Sequence, residues 1–127
     1  MADVNRGNRP LSPHLTIYRP QMTSGSSIMV RITAIASLVL AVLFVWWLVA
    51  AATSETAFAG IDGFVRSWFG DLIMLGGTWA LWYHMLGRLR HVMWDFGYGL
   101  DVDFSEKLGL LMFIVATGLT VVTIVAV

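Results

Sequence analysis

The sequence contains no cysteine, so it can form no disulfide and can supply no thiolate to an iron–sulfur cluster. Any electrons it carries must travel on something else. Charge is scarce as well: eight Lys and Arg balance eight Asp and Glu among 127 residues, for a formal net charge of zero. No block of like charges forms a basic arm, so nothing in the charge pattern points to nucleic acid. Proline is confined to Pro10, Pro13 and Pro20, leaving the rest of the chain without that helix breaker. The first polar stretch holds Asp3, these prolines and no apolar run, which argues against a cleaved secretory leader and against an Arg-rich transit peptide. There is also no phosphate loop, no nucleophile set beside a base, and no cluster of carboxylates or histidines at metal-ligand spacing.

What the chain has in abundance is apolar surface. Hydrophobic residues make up 57% of it, and the mean hydropathy of +0.75 lies outside the range of an ordinary soluble domain. Three stretches carry this load without a formal charge: residues 32–52, 72–87 and 108–127. The first and last are each long enough to cross a hydrocarbon core of roughly 30 Å, at about 1.5 Å per residue. The middle one reaches only about 24 Å, so its span must borrow from flanking residues, with Arg88 snorkelling to the interface. The expected fold is an all-α membrane protein with three transmembrane helices. Its expected divisions are an N-terminal strap at 1–26, spans at 27–53, 67–95 and 105–127, an outer loop at 54–66 and a cytoplasmic loop at 96–104.

Seven of the eight basic residues, Arg6, Arg9, Arg19, Arg31, Arg88, Arg90 and Lys107, fall before the first span or between the second and third. Only Arg66 falls between the first two spans, so the positive-inside rule puts the N-terminus in the cytoplasm and the C-terminus outside. A bacterial inner membrane is the simplest home for such a chain. Trp46, Trp47 and Trp68 then belong to the outer interface, and Tyr18, Trp94 and Tyr98 to the inner one. Thr23 through Ser27 offer caps for the first helix, Gly97-Tyr98-Gly99 ends the second, and Asp101, Asp103 and Glu106 favour the start of the third.

The residue that most needs explaining is His84, an ionisable group inside an apolar segment. Helical spacing places His84, Arg88, His91 and Asp95 on one side, and the same stripe continues outward as Gly76, Gly77 and Ala80. Small residues leading to an imidazole make a recessed face that suits the edge of a haem with iron at His84 Nε2, while helix packing is the plainer account of the stripe taken alone. His91 lies about 10.5 Å further along the axis, so the two histidines cannot ligate one iron from opposite faces. A six-coordinate haem would need its second ligand from another chain, because His14 lies in the polar strap. The simpler reading of His91 is an interfacial residue bonded to lipid headgroups, water or Asp95. Arg31 shares a helix face with Ser27 and lies at the same membrane depth as Arg88. Two cations at that level can hold haem propionates or polarise a carbonyl oxygen, or can be snorkelling residues of the inner interface. Thr33, Ser37 and Ala41 form a small-residue row suited to packing.

Three separated motifs occur in order around the three apolar stretches. They are Arg9-Pro10-Leu11-Ser12-Pro13-His14-Leu15 with Ile17-Tyr18, then Ser26-Ser27-Ile28 with Arg31, then Tyr83-His84 running through Gly87-Arg88-Leu89-Arg90-His91-Val92-Met93-Trp94-Asp95-Phe96-Gly97. Together they resemble the cytochrome b556 family of succinate dehydrogenase, over nearly the whole chain. The resemblance implies the larger of two membrane-anchor subunits of respiratory complex II, partnered by a second anchor, an iron–sulfur subunit and a flavoprotein. It implies a b-type haem shared with the partner anchor, with His84 as one axial ligand to the iron, and it gives Ser27 and Arg31 to a ubiquinone site. Many members of the family carry His-Arg where this chain has Val30-Arg31, which leaves haem propionates to Arg31, Arg88 and the partner. The alternatives are a haem-independent structural anchor, or the anchor of a fumarate reductase working with menaquinone.

Overall fold

The computed structural model describes residues 17–126, all of whose regular structure is helical. Four helices follow in order: α1 (Met22–Thr53), α2 (Glu55–Val65), α3 (Trp68–Asp95) and α4 (Val102–Ala126). His14 and most of the expected strap lie outside the described residues.

Two of these helices, α1 with 32 residues and α4 with 25, are long and apolar enough to cross a membrane. Only Ser26, Val30, Thr33 and Ala50 are buried on α1. Ile28, Ile32, Ile35, Leu38, Val42 and Val45 stand exposed along it, the surface expected of a helix that meets lipid or another subunit rather than water. The third long helix, α3, has 28 residues and packs between α1 and α4. Its burial stripe includes Gly70, Gly77, Ala80, Tyr83, Gly87 and Arg90, at helical spacing. Tyr83, Val30, Met112 and Ala116 form the centre of the packed core, with Trp79, Trp82 and Phe113 around them.

The boundaries differ from the sequence expectation at three places. Helix α1 starts at Met22 rather than 27, so Thr23 to Ser27 lie inside the helix instead of capping it; Gln21 occupies the N-cap position and gives no side-chain cap bond. The stretch 54–66 expected as a loop is mostly helix. Ser54 Oγ accepts from the Ala57 amide, Glu55 sits in the first turn, and Asp62 bonds both Trp47 Nε1 at 3.3 Å and Arg66 Nε at 2.8 Å. Helix α4 begins at Val102 rather than 105 because Asp101 Oδ2 accepts from the Phe104 amide at 3.1 Å, a side-chain cap that starts the helix early.

The end of α3 follows its glycines. Gly97 has φ +79°, and the amides of Gly97 and Tyr98 donate to the carbonyls of Trp94 and Met93. This is the Schellman arrangement, which needs a residue that tolerates the left-handed region. Trp94 Nε1 then donates to the Gly99 carbonyl at 3.1 Å and ties the turn back to the helix.

Candidate functional site

Gly87 decides how closely α1 can approach α3. A side-chain carbon added there would collide with the Val30 side chain and lie 3.3 Å from Met112 Cε. Only glycine therefore lets the two backbones meet at this level. The contact buries the Val30 side chain and brings its backbone carbonyl to 3.1 Å from His84 Nδ1. A carbonyl can only accept, so Nδ1 carries a proton towards it, which leaves Nε2 as the nitrogen free to offer a lone pair to a metal. Anchoring one ring nitrogen on a backbone carbonyl is how proteins aim the other at a metal. The half-buried position of His84 leaves the ring at the edge of the helix pair rather than sealed in its core.

Thr33 Oγ1 donates to the same Val30 carbonyl at 3.0 Å and to the Met29 carbonyl at 2.8 Å, so the hydroxyls of this small-residue row are satisfied along α1 itself. Ser37 Oγ likewise donates to the Thr33 carbonyl at 2.7 Å. Of the small residues on α3, Gly77 faces α1, where an added carbon would sit 2.9 Å from Leu40 Cδ1. Ala80 is buried with it, while Gly76 opens onto free space. Two of the three small residues therefore serve packing, as the plainer reading of that stripe had it. An open cavity of about 550 Å³ lies outward of this seam, between α1, α2 and α3, lined by Ser37, Leu40, Phe44, Trp47 and Met74 among others.

The other residues singled out in the sequence fall around the same seam. Arg31 follows Val30 and is exposed, Arg88 lies one turn beyond His84 and is exposed, and Ser27 is half-buried. His91 Nδ1 donates to the Gly87 carbonyl at 2.7 Å, and its ring lies edge-on to Trp94 at 5.1 Å. Of the partners expected for this nitrogen, lipid headgroup, water or Asp95, none is needed, because the carbonyl one turn back takes its bond. Among the described residues no group of three or more His, Asp or Glu side chains converges as a metal site.

Sequence reasoning passed over Arg90. This guanidinium is 3% exposed, donates from Nη1 to Ser26 Oγ at 2.9 Å and lies 4.5 Å from the centre of the Trp94 ring. Its Nε and Nη2 have no partner among the described residues. Tyr83, fully buried, donates to the Ser26 carbonyl at 3.4 Å. The signal was present in the spacing: Tyr83, Gly87, Arg90 and Trp94 recur at three and four residues around the glycine of closest approach.

Comparison with known proteins identifies the family. The family described as succinate dehydrogenase/fumarate reductase transmembrane subunit matches residues 5–125. A Paracoccus denitrificans protein named succinate dehydrogenase cytochrome b556 subunit is 57% identical over 107 residues, covering 84% of this chain and 82% of that protein. A Rickettsia conorii protein of the same name is 31% identical over 113 residues, covering 89% of this chain and 88% of the relative. A Marchantia polymorpha protein named succinate dehydrogenase cytochrome b560 subunit is 36% identical over 124 residues, covering 93% and 90%. The apolar helices, the α1–α3 seam and these matches place the chain in the family of succinate dehydrogenase/fumarate reductase transmembrane subunits.

Proposed function

We propose that this chain is the membrane-anchoring cytochrome b subunit of a bacterial succinate dehydrogenase, crossing the inner membrane with α1, α3 and α4. Its N-terminus is cytoplasmic and its C-terminus periplasmic. It joins a second anchor subunit, an iron–sulfur subunit and a flavoprotein, and succinate is oxidised on the flavoprotein rather than here. The names of the relatives support the first part of this reading, and the distribution of basic residues supports the orientation.

The observation that carries the haem assignment is the His84 Nδ1 bond to the Val30 carbonyl. It fixes the tautomer with Nε2 available, on a ring at the edge of the helix pair where a partner anchor can supply the opposite ligand. The donor chemistry fits a b-type haem, which when bound supplies a one-electron carrier at that depth. The chain's own part is to hold the imidazole. Gly87 admits α1, the Val30 carbonyl orients the ring, and the exposed guanidinium groups of Arg31 and Arg88 are available to haem propionates.

Ubiquinone stands as the substrate. Ser27 and Arg31, one helical turn apart on α1, donate to a quinone carbonyl oxygen and stabilise the negative charge that develops there as electrons arrive from the iron–sulfur subunit. Arg31 suits this because its guanidinium presents several donors in a fixed planar fork.

A reduced-minus-oxidised optical spectrum of membranes carrying the assembled complex tests the haem assignment. The b-type band disappears in His84→Ala while the subunit remains present; a band that persists, or no band in the intact complex, removes His84 from the iron and favours a haem-independent anchor. For the quinone site, Arg31→Leu sharply lowers succinate-dependent quinone reduction while dye reduction by the catalytic pair continues. Unchanged quinone turnover removes the assignment.

A further inference from the structure

We propose that Arg90 is a positioning residue for quinone reduction: its buried guanidinium clamps the first turns of α1 and so fixes where Ser27 and Arg31 present their donors. The inference rests on the reading of those two residues given above.

Helix α1 is poorly equipped to hold its own start. Gln21 at the N-cap makes no side-chain cap bond, and the first turn contains no acidic residue. An uncapped end with orphan amides frays unless something else holds it. Ser26, which directly precedes Ser27, is nevertheless fully buried, with its polar groups engaged. Its hydroxyl donates to the Thr23 carbonyl at 3.1 Å and accepts from Arg90 Nη1 at 2.9 Å, while its carbonyl accepts from the Tyr83 hydroxyl at 3.4 Å. From the other side α4 presses on the same hydroxyl, since a side-chain carbon at Gly109 would lie 3.2 Å from Ser26 Oγ. Three helices converge on this serine, and the Thr23 bond carries the restraint into the first turn.

Packing alone does not explain why an arginine makes the contact. Burying a cation is costly unless it is paired, and an apolar residue of similar volume would fill the space at lower cost. Among the described residues no carboxylate meets Arg90, and its Nε and Nη2 remain without partners. The charge also lies beside the positive end of the α1 dipole, which opposes it. Among the described residues, Ser26 and the face of Trp94 are what compensate. What the arginine uniquely supplies is a long, charged donor that reaches from α3 to the turn holding Ser27. A charge-assisted bond holds that turn more firmly than a neutral one.

The test uses the assembled complex in membranes and compares Arg90→Gln, Arg90→Lys and Ser26→Ala with Ser27→Ala and Arg31→Gln. Ubiquinone KM and kcat are measured, with the haem spectrum and succinate-dependent dye reduction reporting assembly. Arg90→Gln and Ser26→Ala are each expected to raise the ubiquinone KM about five- to ten-fold, the loss of one charge-assisted bond, with a smaller change in kcat. Arg90→Lys, which keeps a charged donor, falls between Arg90→Gln and the parent. The Ser26→Ala/Arg90→Gln double variant is no worse than either single one, because both remove the same bond. If Ser27→Ala and Arg31→Gln raise the KM but Ser26→Ala and Arg90→Gln leave it alone, the positioning role is wrong and the quinone site stands. If none of the four moves the KM, the site assignment fails and takes this inference with it. Should Arg90→Gln not assemble, Ser26→Ala decides by itself, since it removes the same bond by deleting one buried oxygen.

Discussion

His84 and Val30 meet side chain to backbone, with Nδ1 of the imidazole 3.1 Å from the valine carbonyl. The valine side chain is turned the other way, buried in the α1–α3 seam against Gly87. Position 30 is where the family resemblance marks a departure, with valine in place of a histidine that can meet a haem propionate. In this chain the residue serves His84 through its carbonyl, a contact that the side chain's identity does not supply. Its side chain instead sets the spacing of the two helices that bear His84 and Arg31.

Adding one methyl group at Gly87 tests that spacing. Gly87→Ala drives a carbon into Val30, and overpacking of this kind costs about 1–3 kcal/mol. The purified complex is expected to show a lower Tm and reduced haem content, because α1 moves away from His84. Gly87→Ala combined with Val30→Ala restores part of both, since the second change removes the colliding methyls. A double variant no better than Gly87→Ala shows that the collision is not the cause.

The turn after α3 makes a backbone prediction of a different kind. Gly97 has φ +79° with open space around its would-be side chain, so substitution there is opposed by conformation and not by collision. Gly97→Ala is expected to cost about 1 kcal/mol and Gly97→Asn less, as asparagine tolerates the left-handed region better. Thermal denaturation of the complex ranks the two; an equal loss for both removes the conformational explanation.

Those two glycines also mark what could be read from the sequence. Gly97 announces the end of α3 through local chemistry, which a sequence carries openly, whereas the Asp101 cap starts α4 three residues earlier than the sequence reading had it. The matching failure is the helix at Glu55–Val65. Its two glycines and its place between two apolar spans read as a loop, but Ser54 caps it and Trp47 holds it through Asp62, a contact fifteen residues away. His84 was legible because an imidazole in an apolar run is conspicuous. Its anchoring by the Val30 carbonyl was not, since a backbone acceptor leaves no mark on residue identity. Arg90 was passed over among Arg88, Lys107 and the other interfacial cations although its spacing with Tyr83, Gly87 and Trp94 marks the buried face; its burial against Ser26 is what the sequence does not carry.

Two tryptophans rivet α3 to α4. Trp82 Nε1 donates to Thr123 Oγ1 at 3.0 Å, and Trp79 Nε1 to Thr117 Oγ1 at 3.1 Å. Each threonine hydroxyl meanwhile donates to a carbonyl of its own helix, so it remains free to accept. Interhelical bonds in membranes average about 0.6 kcal/mol in double-mutant cycles and reach about 1.7. A cycle of Trp82→Phe and Thr123→Val, read by unfolding of the complex in detergent, should return a coupling in that range. A coupling near zero shows that the pair packs without a useful bond.

The proposed function gives the two exposed arginines flanking His84 different roles. Arg31 lies on α1, one turn after Ser27, and Arg88 on α3, one turn after the histidine. If Ser27 and Arg31 form the quinone contact, Arg31→Gln removes a charged donor from the substrate and raises the ubiquinone KM by about tenfold, the cost of a charge-assisted bond. Arg88→Gln removes a cation near the ring without touching the quinone, so ubiquinone KM stays within about twofold. Its effect is on the haem. A positive charge favours the reduced form, which carries one more electron, so its loss lowers the midpoint potential. A charge interaction of about 1 kcal/mol is expected for a group near the protein surface, and this corresponds to a shift of roughly 40 mV for a one-electron couple. Redox titration of the b-type band in the two variants, alongside quinone kinetics, measures both effects. Exchanged phenotypes, with Arg88 governing the KM and Arg31 the potential, would place the quinone against α3 instead of α1.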